Sequence, residues 1–347
     1  GGMSQRAASR HFGVPRSTLQ DHLKRAEVPE GYQIKGTSTL YDADGEVKVQ
    51  WVKTSQDADR QKELFDAALK EMKADLPRLA PLPAPSKTLQ DLANCYVITD
   101  YHYGMLAWHK EGGADWDLKI AEKTLTGCFS QMMAGAPDSK VGIITQLGDF
   151  LHQDSIAPMT GTVGTTHTVD ADGRFSKIVR SAIKFLRNII DMALQKHEVV
   201  HVIMAEGNHD LSSSIWLREM FAALYENEPR VVVDTSELPY YVYEHGETML
   251  AFHHGHLKRF ASLTSLFAAE FAPAWGRCKK RYGHCGHLHH SQVKEDAGMV
   301  CTQHQTLAAR DSYSSRHGYH SNRGAQCITY HKKHGQVATN NVTPEMI

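Results

Sequence analysis

Cysteine occurs six times, and Cys95, Cys128, Cys278, Cys285, Cys301 and Cys327 form no Cys-x-x-Cys pair and no regular framework. That excludes a disulfide-stapled scaffold and fits a reducing compartment. Long apolar runs are also missing: none approaches the roughly 18 to 20 residues of a membrane span, and no segment has the pattern of a secretory signal. Nor is there an excess of one charge, since 38 Lys and Arg meet 39 Asp and Glu for a formal net charge of -1. A global pull toward nucleic acid or membrane is therefore excluded, and any such affinity must come from local clusters. The chain is expected to be soluble and cytoplasmic, with no membrane partner. With 347 residues, 41% of them hydrophobic and 22% charged, it is long enough to bury one large core and a smaller one. Histidine is the surplus, at 22 residues. Neutral imidazole is the commonest metal ligand and titrates near neutrality, so the positions of these histidines decide whether they mark a site or a surface.

Residues 4–25, SQRAASRHFGVPRSTLQDHLKR, read as two short helices around a tight turn. Ala7, Ala8 and Phe12 form the apolar side of the first, Leu19 and Leu23 that of the second, with Gly13 and Val14 at the corner. Pro15 suits a first helical position, where its missing N–H would be unpaired in any case. The pattern resembles the helix-turn-helix of DNA-binding regulators, which implies that Arg16, Ser17, Gln20 and Asp21 face the bases. Arg6, Arg10, Arg16, Lys24 and Arg25 against Asp21 alone supply a local excess for phosphate contact. A plain helical hairpin with a solvated basic face is the alternative. The opening Gly1-Gly2 points to a preceding helix outside the sequence.

Residues 38–54, STLYDADGEVKVQWVKT, alternate Val47, Val49 and Trp51 with polar residues after a DADG turn, as a β-hairpin would. Residues 56–75 are charged and helix-prone, and PRLAPLPAPS at 77–86 brings four prolines that break helix continuity. The expected division is a helix-turn-helix over 1–30, a hairpin, helix and proline-rich connector over 31–90, and a large domain over 91–347. In the large domain, apolar strands near 95–99, 141–147 and 199–205 alternate with helices near 117–134 and 174–196, an α/β signature. After residue 230, VVVD, YYVYEH, TMLAFHH and CITYHK imply a second sheet packed on the first.

Five polar clusters follow predicted strands, where loops gather active-site groups. They are TDYHYG with Asp100 and His102, LGDFLH with Asp149 and His152, EGNHD with Asn208 and His209, FHHGH with His253, His254 and His256, and CGHLHH with His287, His289 and His290. Each alone is a weak signal. Together, Asp, Asn and His suit borderline divalent ions such as manganese, iron or zinc better than calcium or magnesium, which prefer all-oxygen shells.

In this order, D-x-H, G-D, G-N-H-D, H-G-H and G-H-x-H resemble the calcineurin-like metallophosphoesterase superfamily over about residues 91–335. The resemblance implies a sandwich of two mixed β-sheets flanked by helices, and two divalent transition-metal ions, manganese foremost. It implies one ion on Asp100, His102, Asp149 and His289, a second on Asp149, Asn208, His254 and His287, and His209 as an uncoordinated catalytic histidine. His254 is preferred to His253 because the family's ligand directly precedes the glycine of H-G. His152 stands where the phosphatase branch has an Asp-Arg pair, a departure that resembles the DNA-repair nucleases of the superfamily. Combined with the N-terminal module, the motifs resemble a group of phage and prophage proteins, which would place the chain in the cytoplasm of a bacterial host.

The implied activity is phosphoester hydrolysis by in-line attack of a water activated between two ions, with DNA as the expected substrate and partner. The rivals are a phosphomonoesterase or small-nucleotide phosphodiesterase localised by its helix-turn-helix, and a DNA-binding regulator on a non-catalytic scaffold. His152, His256 and Arg310 are candidate substrate contacts, as are Asp311 and Lys279 to Arg281. Trp108, Trp116, Trp216 and Trp275 read as core residues before base-stacking ones, and Cys285 and Cys301 as core or strand.

Overall fold

The computed structural model describes residues 32–41, 47–56, 83–160 and 168–347. Arg16, Ser17 and Gln20, with the rest of the expected helix-turn-helix and the connector helix, lie outside the described residues. The chain separates into two compact units, Gly1–Ala74 and Asp75–Ile347. In the first, β1 (Tyr32–Tyr41) and β2 (Val47–Gln56) pair antiparallel from Tyr32↔Gln56 to Tyr41↔Val47, a longer hairpin than the alternation alone marks.

The second unit is an α/β sandwich of two mixed sheets flanked by helices. Its first sheet has the order β13 (Gly335–Val342), β12 (Ala325–His331), β3 (Leu89–Ile98), β4 (Ser139–Gln146), β5 (Val199–Met204) and β6 (Val231–Val233). Strands β3 to β6 run parallel, while β12 is antiparallel to both β3 and β13. The second sheet has the order β10 (Gln292–Asp296), β11 (Met299–Gln303), β9 (Lys280–Cys285), β8 (Thr248–Phe252) and β7 (Tyr241–His245), with the β11–β9 and β9–β8 pairs parallel. The expectation that all strands after residue 230 build the second sheet is corrected here. VVVD supplies β6 and CITYHK lies in β12, both in the first sheet. Alternation along a strand reports which face is apolar but carries no information about a distant neighbour.

Side-chain alternation explains the layering. Cys95 and Val97 of β3 and Leu250 and Phe252 of β8 meet with Ile143, Tyr241, Ile328 and Tyr330 in the core between the sheets. Met249 and Ala251, pointing the other way, pack with Leu263, Phe267, Met299 and Cys301 under the helix Leu263–Glu270. On the far side of the first sheet lie α1 (Leu118–Gly135), capped by Asp117 accepting from the Ile120 N–H, and α2 (Phe175–Lys196). With both faces covered, the central strands read as continuous apolar runs. No described helix is long and apolar enough to cross a membrane.

Candidate metal centre

Parallel strands bring their carboxyl ends to one edge, and the motif loops are laced together there by continued strand-like bonding. The Asp100 N–H donates to the Gly148 carbonyl (3.1 Å), His102 N–H to Asp149 (3.0 Å), and Tyr103 N–H to Phe150. The second sheet repeats the device, with His253 N–H donating to His284 (3.1 Å) and Gly286 N–H to His254 (2.8 Å). Asp100, His102, Asp149, His287 and His289 all adopt left-handed backbone, with φ between 47° and 72°, and Ala297 is the one other non-glycine residue that does so among the described residues. Such conformations cost of order 1–3 kcal/mol each and persist where surrounding structure over-determines them.

Two donor groups result. Asp100, His102 and His289 can each offer a ligand atom within 4.8 Å of the others, and so can Asp149, His254 and His287. The His102 and His289 Nε2 atoms stand 3.3 Å apart, and His289 Nε2 is 3.3 Å from Asp100 Oδ1. On the other side His254 Nε2 is 3.2 Å from Asp149 Oδ2 and 3.2 Å from Asn208 Oδ1, and it is 3.9 Å from Asp100 Oδ1. The third cluster is His102, His152 and His209, with His152 Nδ1 3.2 Å from His102 Nδ1. His209 Nδ1 donates to the His152 carbonyl at 3.0 Å, and its backbone N–H donates to Asp149 Oδ1 at 2.7 Å.

The electrostatics are those of a cation site. Burial alone would raise the Asp149 carboxyl, but His254 and His209 outweigh it and hold it well below the usual range. Asp100 is likewise lowered against its burial, by His289 and His254. Burial would depress His254, yet Asp149 and Asp100 carry it up to about 10. A proton is the smallest cation these carboxylates can hold, and metal ligation would displace it. His102, by contrast, is driven well below its ordinary value by burial and by His209 and His152, which keeps it neutral and able to ligate. The residues fit divalent ions: Asp100 Oδ1 is fully buried with no hydrogen-bond partner, and the glycines make room around the donors. A Cβ at Gly207 would meet Asp149 Oδ1 at 2.0 Å, one at Gly286 would meet Asp100 Oδ2 at 2.3 Å, and one at Gly148 would meet His254 Nδ1 at 2.5 Å.

Three supporting residues were not singled out from the sequence. Asp210, fully buried, accepts from the N–H groups of Asp149 (3.1 Å), Leu151 (3.0 Å) and Gly207 (3.2 Å), tying two motif loops together. Thr99 donates to Asp100 Oδ2 at 2.5 Å, where the His287 N–H also donates at 2.8 Å. Thr306 donates to the Asp100 carbonyl at 2.6 Å while accepting from Ala308 N–H at 2.9 Å. Asp210 is the last residue of G-N-H-D, a motif position to which the sequence alone attaches no role; nothing local marks Thr306.

The remaining candidates divide. The His256 ring lies 5.2 Å from that of His254 and 6.4 Å from that of His287, at the border of the centre. Arg310 is turned to its own surroundings, donating to the Gly112 and Tyr319 carbonyls. Lys279 pairs with Glu247 at 2.9 Å, and Arg281 donates to the Trp275 carbonyl and stacks on its ring. Trp116 is in the core, but Trp108 and Trp216 are exposed, a correction to the core reading. Helical spacing near an apolar face does not reveal which side a bulky ring takes. Cys285 and Cys301 are buried strand residues.

Residues 1–28 match the family model of the helix-turn-helix, Psq domain. No curated protein matches the chain. Among solved structures, the chain is similar to a conserved, predicted phosphoesterase of Streptococcus pneumoniae, at 10% identity and a TM-score of 0.32, covering 74% of this chain and 92% of that one. It is also similar to vacuolar protein sorting 29 of Cryptosporidium parvum, at 15% identity and a TM-score of 0.31 over 73% and 98% of the two chains. The zinc complex of the Entamoeba histolytica counterpart matches at 12% identity and a TM-score of 0.31, over 73% and 99%.

Proposed function

We propose that this chain is a dinuclear-metal phosphodiesterase of the calcineurin-like type that cuts DNA. The observation that carries the reading is the place of Asp149: its carboxylate belongs to the His254 and His287 group, with His254 Nε2 3.2 Å away, and it also exchanges charge influence with Asp100, His102 and His289 of the other group. Asp100, His102, Asp149 and His289 would hold one ion, and Asp149, Asn208, His254 and His287 the other. Two divalent transition-metal ions, manganese before iron or zinc, would neutralise substrate charge and activate water there.

The protein's own groups orient the reaction. Asp149 Oδ1 accepts the His209 N–H, so the shared carboxylate also fixes the loop of the catalytic histidine. With Nδ1 donating to the His152 carbonyl, proton exchange with a substrate oxygen falls to His209 Nε2. His152, itself buried, sets the His102 ring through its Nδ1 contact. DNA is the favoured substrate because the helix-turn-helix match at 1–28 would raise the local concentration of phosphodiester.

The test is incubation of the manganese-loaded protein with single-stranded DNA, duplex DNA, cyclic nucleotides and a small chromogenic phosphodiester. Metal-dependent DNA cleavage is expected, with close to two ions per chain by elemental analysis. Deleting residues 1–26 should leave hydrolysis of the small diester unchanged while duplex affinity falls and its salt dependence becomes shallower. Cleavage of small substrates but not DNA gives way to the small-nucleotide or phosphomonoester reading. No bound metal and no activity would leave a DNA-binding regulator on a non-catalytic scaffold.

A further inference from the structure

The segment following Thr306 leaves the metal centre, makes a surface excursion and returns, since Arg323 donates to the Leu307 carbonyl at 2.8 Å. Its sequence, Arg310 to Arg323, interleaves three arginines and one aspartate with Tyr313, His317, Tyr319 and His320. Polar groups build the scaffold. Asp311 accepts from Ser314 N–H at 2.8 Å, Tyr319 N–H donates to Ser314 at 3.0 Å, and Arg310 bonds the Gly112 carbonyl, the Tyr319 carbonyl and His320. The rings are what remains outside: Tyr313 is 48% exposed and Tyr319 58%, with the exposed His317 ring 4.1 Å from Tyr313 and 5.8 Å from Tyr319. Beside them the short helix His109–Gly112 packs against Ser312–Arg316, and it follows Trp108, 51% exposed under the Lys110 ammonium. The segment sets out from Thr306, whose hydroxyl donates to the Asp100 carbonyl at 2.6 Å, so this surface adjoins the centre.

We propose that residues 310–320, bordered by Trp108, form a base-stacking platform that takes a single-stranded nucleic acid beside the metal centre. The inference rests on the nucleic-acid reading of that centre. Exposed rings held on a fixed scaffold present π-faces to bases, and Arg316 and Lys110 supply cations for the intervening phosphates. Bases are open to such stacking only when unpaired, which selects a single strand.

The experiment is fluorescence anisotropy of an oligothymidylate of about ten nucleotides, within the usual site sizes, and of an abasic strand of equal length, on the metal-free full chain. Wild type is compared with Tyr313→Leu/Tyr319→Leu, which keeps apolar bulk but removes the rings. The thymidylate should bind more tightly than the abasic strand, and the double variant should lose roughly 5- to 150-fold per ring, with turnover of the small phosphodiester on the manganese-loaded protein unchanged. Equal affinity of wild type for the two strands, a comparison needing no variant, overturns the platform, as does equal thymidylate binding by wild type and variant. Turnover of the small diester with no oligonucleotide binding removes the platform and leaves the phosphoesterase standing; ring-dependent binding without turnover does the reverse.

Discussion

Thr306 offers the sharpest test of how the centre is braced. Thr306→Val conserves shape and removes one hydroxyl, which leaves the carbonyl of Asp100 and the N–H of Ala308 buried and short of a partner. An orphaned buried group costs about 1–3 kcal/mol, the carbonyl less than the N–H, so a loss of roughly 2–4 kcal/mol is expected. The same bond helps hold Asp100 at φ 48°, so manganese affinity should fall about 10- to 100-fold, as it does when outer-shell partners of metal ligands are removed. Urea unfolding followed by circular dichroism reads the first quantity and titration calorimetry with manganese the second. Thr306→Ser, which retains the hydroxyl, should recover most of both. A Val variant with wild-type midpoint and affinity would refute the brace, and a Ser variant as weak as the Val one would show that the methyl group, not the hydroxyl, was responsible.

Asp149→Asn keeps an acceptor for the His209 N–H but removes the charge that the proposed function has both ions share, so bound metal and activity should collapse together with the fold retained; wild-type metal content and turnover would refute the shared-ligand role. His209→Ala should leave metal content near normal while turnover falls by roughly 10²- to 10⁴-fold, and loss of metal in elemental analysis would instead make His209 a ligand. Burial drives both His197 and His304 down to about 4 from an ordinary 6.5. Both are neutral in the fold and protonated in the unfolded chain between those values, so stability is present above pH 6.5 and lost as pH falls toward 4. Each histidine contributes a slope of about 1.4 kcal/mol per pH unit, and a flat urea midpoint from pH 7 to 5 would contradict it.

Local patterning was enough to read much of this protein. The strands ending before Asp100, Asp149 and Asn208, the helices now bounded as Leu118–Gly135 and Phe175–Lys196, and the Asp and His motifs that the fold gathers into clusters are written in short windows, because apolar periodicity and the glycines that admit a carboxylate or imidazole at close range are local requirements. Tertiary structure decided what depends on neighbours far along the chain. It put Ala325–His331 beside Leu89–Ile98 in the first sheet, and it set Thr306 against Asp100, a contact across 206 positions. It also turned Trp108 outward while burying Trp116, and gathered the rings of Tyr313, His317 and Tyr319 into one exposed cluster. Such choices turn on which surfaces meet when two sheets pack, and no window of sequence contains both surfaces.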